Sequence, residues 1–342
     1  MAEKKYSALA LVEILINYSD EDHILSAKEI QNHLINEYGL DLERRTIYSN
    51  MDILEQNGYS ISRYEDNKKG YYLEDRKFEK SEILLLCNAI HSSNYISNNQ
   101  SKELITKLLA NLSKYQRKEY LDKVFMPNPK KTPNKELLFN IEMISEAIRD
   151  KKAIEFEYLS YNTNKELVSK LDKNTNEVKK YIVEPRYIVY SDARPYMIVT
   201  SKRHTGFGHY RLDRIKNIKI INEMVASLPK EKDAYEYARN KLFMYNGEMI
   251  KVTFKCHNRI IDQMLDIFGT NIMIIPHKDN TFSFTTETST QGAKLLAQQY
   301  LDAIEIVEPK DLRKEFIKEL EARVKEYKKK SRNEVNPKSW TN

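Results

Sequence analysis

The chain has 342 residues, 41% hydrophobic and 31% charged, with a formal net charge of +6. That length exceeds one ordinary core and predicts two or three domains. No apolar run reaches the roughly 18 residues a membrane span needs, and the opening Met1-Ala2-Glu3-Lys4-Lys5 has no apolar signal core behind it. The only cysteines, Cys87 and Cys256, are too far apart in sequence to suggest a disulfide framework or zinc knuckle. A soluble cytoplasmic protein is expected, with no membrane partner, cofactor or metal.

In chain order, Tyr6 to Tyr18 form an amphipathic helix through Leu9, Leu11, Val12, Leu15 and Ile16. Ser26-Ala27-Lys28-Glu29 is a capping box that opens a second helix. Its apolar positions are Ala27, Ile30, Leu34 and Ile35, and it ends near Tyr38-Gly39. Arg44 to Gly58 is the most informative stretch. Ile47, Met51 and Leu54 recur at helical spacing and predict a buried face. Arg45, Tyr48, Ser49 and Asp52 fall opposite, and Gly58 stops the helix. Tyr59 to Tyr64 and Gly70 to Leu73 read as two strands joined by the polar turn Glu65 to Lys69.

Three helices and a hairpin over residues 1–75 predict a winged helix-turn-helix. Its candidate DNA contacts are Arg44, Arg45, Thr46, Tyr48 and Ser49 on the helix, with Arg63, Lys68 and Lys69 on the wing. Arginine and hydroxyl side chains there suit phosphates and base edges.

Residues 76–134 read as a helical linker and dimerisation region. One stripe is Ile83, Leu84, Leu85, Leu86 and Ala89; a second is Leu104, Ile105, Leu108, Leu109 and Leu112, with Tyr120, Leu121 and Val124 following. Three prolines between Met126 and Asn134 end the helical pattern and mark a boundary.

Residues 135–245 begin with a helix from Glu136 to Arg149 and then change period to two. Ala153 to Tyr158, Tyr181 to Tyr190, Tyr196 to Thr200 and His209 to Ile215 read as strands, with Lys165 to Lys180 a long hairpin loop. This pattern predicts a small, mostly antiparallel, SH3-like β-domain. Residues 246–330 read strand, helix, strand, strand, helix, strand, helix, a ferredoxin-like α/β order, and residues 331–342 are a tail. The fold class is thus α+β multidomain.

Charge is unevenly spread. Residues 1–75 carry 8 Lys+Arg against 15 Asp+Glu, whereas residues 76–134 and 135–245 are net +6 and +5. A basic excess outside the first domain points to a second anionic partner besides duplex DNA.

The run Arg44 to Ile61, with the hairpin ending Gly70-Tyr71-Tyr72-Leu73, resembles the DNA-binding domain of DeoR-like regulators that carry a WYL domain. The strands around Pro185-Arg186-Tyr187, Ala193 to Met197 and Tyr210-Arg211-Leu212-Asp213-Arg214-Ile215 follow the order of the WYL domain itself. Its eponymous triplet stands here as Pro195-Tyr196-Met197. The C-terminal order, including Glu308-Pro309-Lys310-Asp311-Leu312, is similar to the extension domain that accompanies WYL domains.

The resemblance implies a homodimeric transcriptional regulator. It would bind operator duplex and sense single-stranded nucleic acid or a nucleotide-like molecule through the WYL domain. The ligand-binding candidates are Arg186, Tyr196, Arg203, His204, Tyr210, Arg211 and Arg214, since arginines fork onto phosphates and tyrosine faces stack on bases. Strand alternation places Arg211 and Asp213 on one face and Arg214 opposite, with Asp213 a structural partner for an arginine. No catalytic constellation is expected, because the seven histidines form no HExxH and no Cys–His pairing. Two other readings are an accessory RNA- or single-stranded-DNA-binding protein of a defence or DNA-repair system, and a purely structural winged-helix module.

Overall fold

The computed structural model describes residues 2–124, 130–191, 193–202, 204–224 and 249–330. The chain divides into two compact units, Met1–Phe139 with Leu159–Val168, and Asn140–Tyr158 with Ser169–Asn342.

The first unit opens with α1 (Ala2–Tyr18), α2 (Ala27–Tyr38) and α3 (Arg44–Gln56). The capping box forms: the Glu29 amide donates to Ser26 Oγ at 3.3 Å, and the Ser26 amide donates to Glu29 Oε2 at 2.8 Å. Gly39 closes α2 in the left-handed region at φ 66°, where a side chain would be strained. Leu11, Ile14, Leu15, Ile30, Leu34, Ile47 and Met51 fill one core. Leu9, expected to join it, is instead 63% exposed.

The hairpin is smaller than its sequence suggests. β1 (Ile61–Ser62) pairs antiparallel with β2 (Tyr72–Leu73), and the expected polar turn winds into a single helical turn, α4 (Tyr64–Asn67). Two side chains cause this. Asp66 Oδ2 accepts the Arg63 amide at 3.0 Å, and Asn67 Oδ1 accepts the amides of Lys69 and Gly70 at 2.7 and 2.8 Å. Tyr71 then bridges to Leu25, which brings Gly70 against the chain before α2. A Cβ on Gly70 would lie 2.3 Å from the Leu25 carbonyl oxygen, a backbone atom that cannot swing aside. Gly70→Ala is therefore expected to destabilise this unit by about 1–3 kcal/mol, as overpacking does, measurable as a lowered urea midpoint.

The helical segment comprises α5 (Lys80–Ser92), α6 (Asn98–Leu109) and α7 (Lys114–Val124). Its core uses Ile83, Cys87, Ile105, Leu109, Leu112 and Tyr120. Leu85 lies off this face and is 70% exposed, so the expected stripe of four consecutive apolar residues is only partly inward.

A polar junction joins the segment to the three-helix core. Arg76 donates to the carbonyls of Ile16 (3.0 Å), Ser19 (2.6 Å) and Asn111 (3.0 Å). Buried Asp20 accepts from buried Ser113 Oγ and from the amide and ring Nδ1 of His23, both at 2.8 Å. The His23 ring also stacks on Tyr115 at 3.7 Å. Further along, the buried ammonium of Lys131 donates to the carbonyls of Ile90 and Ser93 and to Ser101 Oγ.

In the second unit, α8 (Leu137–Arg149) precedes an antiparallel sheet of β3 (Lys152–Tyr161), β4 (Leu167–Ser169), β5 (Lys180–Ser191), β6 (Arg194–Ser201), β7 (His204–Arg211) and β8 (Ile215–Met224). The order is β4-β3-β5-β6-β7, and β8 pairs with β3 off this path. The expected loop at Lys165 to Lys180 thus contains a strand, and Leu171 bridges Val178 beyond it. The last expected strand is also broken: Leu212–Arg214 is a 3-10 turn. Buried Asn140 holds it, donating from Nδ2 to the carbonyls of Leu212 (3.3 Å) and Ile215 (2.9 Å).

Beyond this lie β9 (Met249–His257), α9 (Ile261–Phe268), β10 (Ile274–Pro276), β11 (Thr281–Ser289), α10 (Thr290–Gln299), β12 (Ile304–Glu308) and α11 (Lys310–Lys330). The sheet order β10-β11-β9-β12 packs Phe254, Phe282 and Phe284 beneath Met264, Leu296 and Phe316. Cys256 faces that core, and burial pushes its thiol up to about 12, while the adjacent His257 is exposed. No described helix is long and apolar enough to cross a membrane.

Candidate nucleic-acid interface

Helix α3 sorts its residues by face. Ile47, Met51 and Leu54 are buried, and Asn50 between them donates to Ser7 Oγ of α1 at 3.0 Å. Arg44, Arg45 and Ser49 are exposed, with Thr46 and Tyr48 half-buried. The Tyr48 ring lies 5.8 Å from that of Tyr71. Burial, with a hydrogen bond from the Tyr71 hydroxyl to Tyr48, raises the Tyr71 phenol well above its ordinary pKa.

Arg63, expected as a wing contact, is already engaged. It forks onto Glu55 with two bonds of 2.9 Å and reaches Asp52 at 2.5 Å. Those bonds, the Glu55 one foremost, raise its pKa further and neutralise the two acids on the solvent side of α3. Lys68 donates to the Glu65 carbonyl at 2.6 Å, which leaves exposed Lys69 to project from the turn.

A cleft of about 430 Å3 opens between the start of α2, the start of α3 and the hairpin. Lys28, Arg44 and Lys69 line it alongside Tyr48, Tyr64 and the acid Glu65, and so does Arg63, already held by Asp52 and Glu55. Sequence reasoning had passed over Lys28 and Tyr64. Lys28 had a signal: a cation in the first turn of a helix sits against the helix dipole. Three ammonium and guanidinium groups around one cleft can hold a phosphate backbone.

The second set of candidates lies on the sheet of the other unit. On β6, Tyr196 stands opposite Val189 of β5 and Arg211 of β7, and Thr200 stands opposite Glu184. Directly opposed residues share a face, so Tyr196, Thr200, Glu184 and Arg211 lie together. Arg186 is the extra residue where the register slips between Pro185 and Tyr187, and such a bulge re-aims a side chain.

Its Nε donates to Thr200 Oγ1 at 2.8 Å and its Nη2 to Glu184 Oε2 at 3.0 Å, while Thr200 donates to the same carboxylate at 2.7 Å. Arg211 forks onto Asp213 at 3.0 and 2.7 Å. Burial pulls the Arg211 pKa down, but the Asp213 bond outweighs it and leaves the guanidinium raised. Both carboxylates are buried, and the two arginine side chains are only 12% and 20% exposed.

Tyr210 points the other way. Its register partner is Met197, and its ring packs against Phe156 (5.2 Å), Tyr158 (5.1 Å) and Tyr181 (5.5 Å). Burial, with the neighbouring tyrosines, pushes its phenol up to about 12. Arg214 sits in the 3-10 turn rather than on a strand, so alternation does not decide its direction. Arg203 and the side chain of His204 lie outside the described residues.

Residues 140–220, which supply α8 and this sheet, match the WYL domain family. Among solved structures, proteasome accessory factor B/C (PafBC) of Arthrobacter aurescens is 15% identical, over 92% of this chain and 47% of its own, with a TM-score of 0.26. A CRISPR Cas-related protein is 13% identical, over 96% of this chain and 86% of its own, with a TM-score of 0.36. The chain spans about half the length of the PafBC chain it matches. No curated protein matches it.

Proposed function

We propose that this protein is a homodimeric, ligand-responsive transcriptional regulator. In this reading the three helices and hairpin are a winged helix-turn-helix that binds operator duplex. The SH3-like WYL domain senses an anionic, nucleic-acid-like effector, and a ferredoxin-like domain follows it. The carrying observation is the division of α3: an apolar face fully used in packing, and Arg44 and Arg45 exposed beside a cleft that Lys28 and Lys69 also line. Nothing in this reading requires turnover, a cofactor or a metal.

Two recognition helices on a twofold axis would read an inverted or near-inverted repeat, because one small domain buries too little surface for tight specific binding. Analytical ultracentrifugation is expected to show a dimer at micromolar concentration. A monomer that still binds duplex at that concentration would refute the dimer.

The net charge of −7 over residues 1–75 favours a second reading, in which the protein handles single-stranded nucleic acid for a defence or repair system without operator recognition. Salt titration separates the two. A regulator is expected to prefer one duplex sequence at every salt concentration, whereas the accessory protein should bind single strands more tightly than any duplex.

A further inference from the structure

We propose that Glu184 and Asp213 are internal stand-ins for the effector's phosphates, each closing an arginine fork that an incoming polyanion must reopen by displacing it. The proposal rests on the sensor reading above and adds how that site is held shut.

The geometry supports displacement rather than an open pocket. Arg186, Thr200 and Glu184 form a closed triangle of bonds of 2.8, 3.0 and 2.7 Å, and Asp213 takes both arms of the Arg211 fork. A carboxylate presents two oxygens to a guanidinium much as a phosphate does. Glu184 and Arg211 stand opposite Thr200 and Tyr196 on one face of β6, Arg186 at the β5 bulge and Asp213 in the turn after β7 reach them, and both arginines keep a solvent-facing edge.

The bulge at Arg186 turns its side chain towards Glu184 on that face. Had the domain needed these arginines only for packing, an apolar pair would serve at least as well, since buried ion pairs add little net stability. The two forks are fixed four residues apart along β6, at Thr200 and Tyr196, or roughly 13 Å at strand rise. No single phosphate spans that gap. The ligand class is therefore a polyanion such as a short single-stranded oligonucleotide, and a mononucleotide can occupy only one fork.

Removing the competitor while keeping the shape should tighten binding. Glu184→Gln and Asp213→Asn retain an oxygen that can accept from the arginine but lose the charge. Fluorescence anisotropy with a labelled twelve-residue oligothymidylate is expected to show at least tenfold tighter binding for each. Glu184→Asp, which keeps the charge, should not tighten, and Arg186→Ala should weaken binding. Thymidine monophosphate should compete only weakly against wild type, and better against Arg186→Ala, where the Arg211 fork alone holds the oligonucleotide.

If the wild type binds and Arg186→Ala weakens it, but neither amide variant tightens binding, the stand-in role is wrong and the sensor reading survives. If neither the wild type nor any variant binds oligonucleotide or nucleotide, the sensor reading falls and the stand-in role with it. Circular dichroism checks folding. Loss of the fold in both amide variants would show the carboxylates to be structural and would overturn the proposal.

Discussion

Arg44→Ala combined with Arg45→Ala is expected to lower duplex affinity by about a hundredfold or more, since each well-placed arginine contact carries about 1–3 kcal/mol. The fold should be untouched, because both side chains are exposed at the start of α3 and the packing of Ile47, Met51 and Leu54 does not involve them. The salt series then assigns the roles. If both arginines meet phosphates, the slope of log affinity against log salt should flatten by roughly 2 while sequence preference remains. If either reads a base, preference should collapse at one position. Lys69→Ala on the hairpin should flatten the slope without altering preference. Arg63→Ala should behave differently again, because it frees Asp52 and Glu55 to repel the duplex. A double variant that binds its operator as tightly as the wild type would remove α3 from the interface.

Arg76→Met should destabilise the first unit more than any exposed substitution. It leaves the carbonyls of Ile16, Ser19 and Asn111 without their shared donor. Stranding such acceptors costs about 3 kcal/mol in total, which for a body of this size lowers the melting temperature by roughly 6–12 °C. Acid should attack the same junction. Burial opposes the charge of Asp20, but bonds from Ser113 and His23 outweigh it and hold the carboxyl below its ordinary value of 3.8. A group whose pKa is depressed on folding stabilises above the unfolded pKa, and that contribution fades as pH falls through the folded one. The junction should therefore weaken below about pH 4, and Asp20→Asn should remove that part of the acid sensitivity. Thermal melts of both variants from pH 3 to 7 provide the measurement.

Much of the fold was legible because its causes are local. The Ser26–Glu29 box, Gly39 and the inward face of α3 are each written within a few residues and form as read. Features with a distant cause were not legible. Leu212–Arg214 continues a strand pattern, yet Asn140, over seventy positions earlier, takes the carbonyls of Leu212 and of Ile215 just beyond the turn. Arg63 reads as a free wing cation because Asp52 and Glu55 belong to a different element. Tyr210 and Arg211 are neighbours in sequence, so a motif groups them, whereas a strand sends them to opposite faces. Lys131 sits in a proline-rich stretch that reads as linker, yet it is buried on carbonyls of Ile90 and Ser93.

The Arg76 and Lys131 anchors also decide how the molecule can be taken apart. Composition invites a cut after residue 75, to isolate a small DNA-binding fragment. Such a piece would lose the guanidinium that ties off the last carbonyls of α1, and it would leave Asp20 without Ser113. A cut near residue 124 would in turn remove the ammonium that satisfies the end of α5. A piece that keeps both anchors has to run past Lys131, and one that also keeps the Gln100 bond to the Lys135 carbonyl and the Glu136 bond to Asn134 has to run past Glu136. Dissection, domain grafting and protease mapping should all be planned around that length.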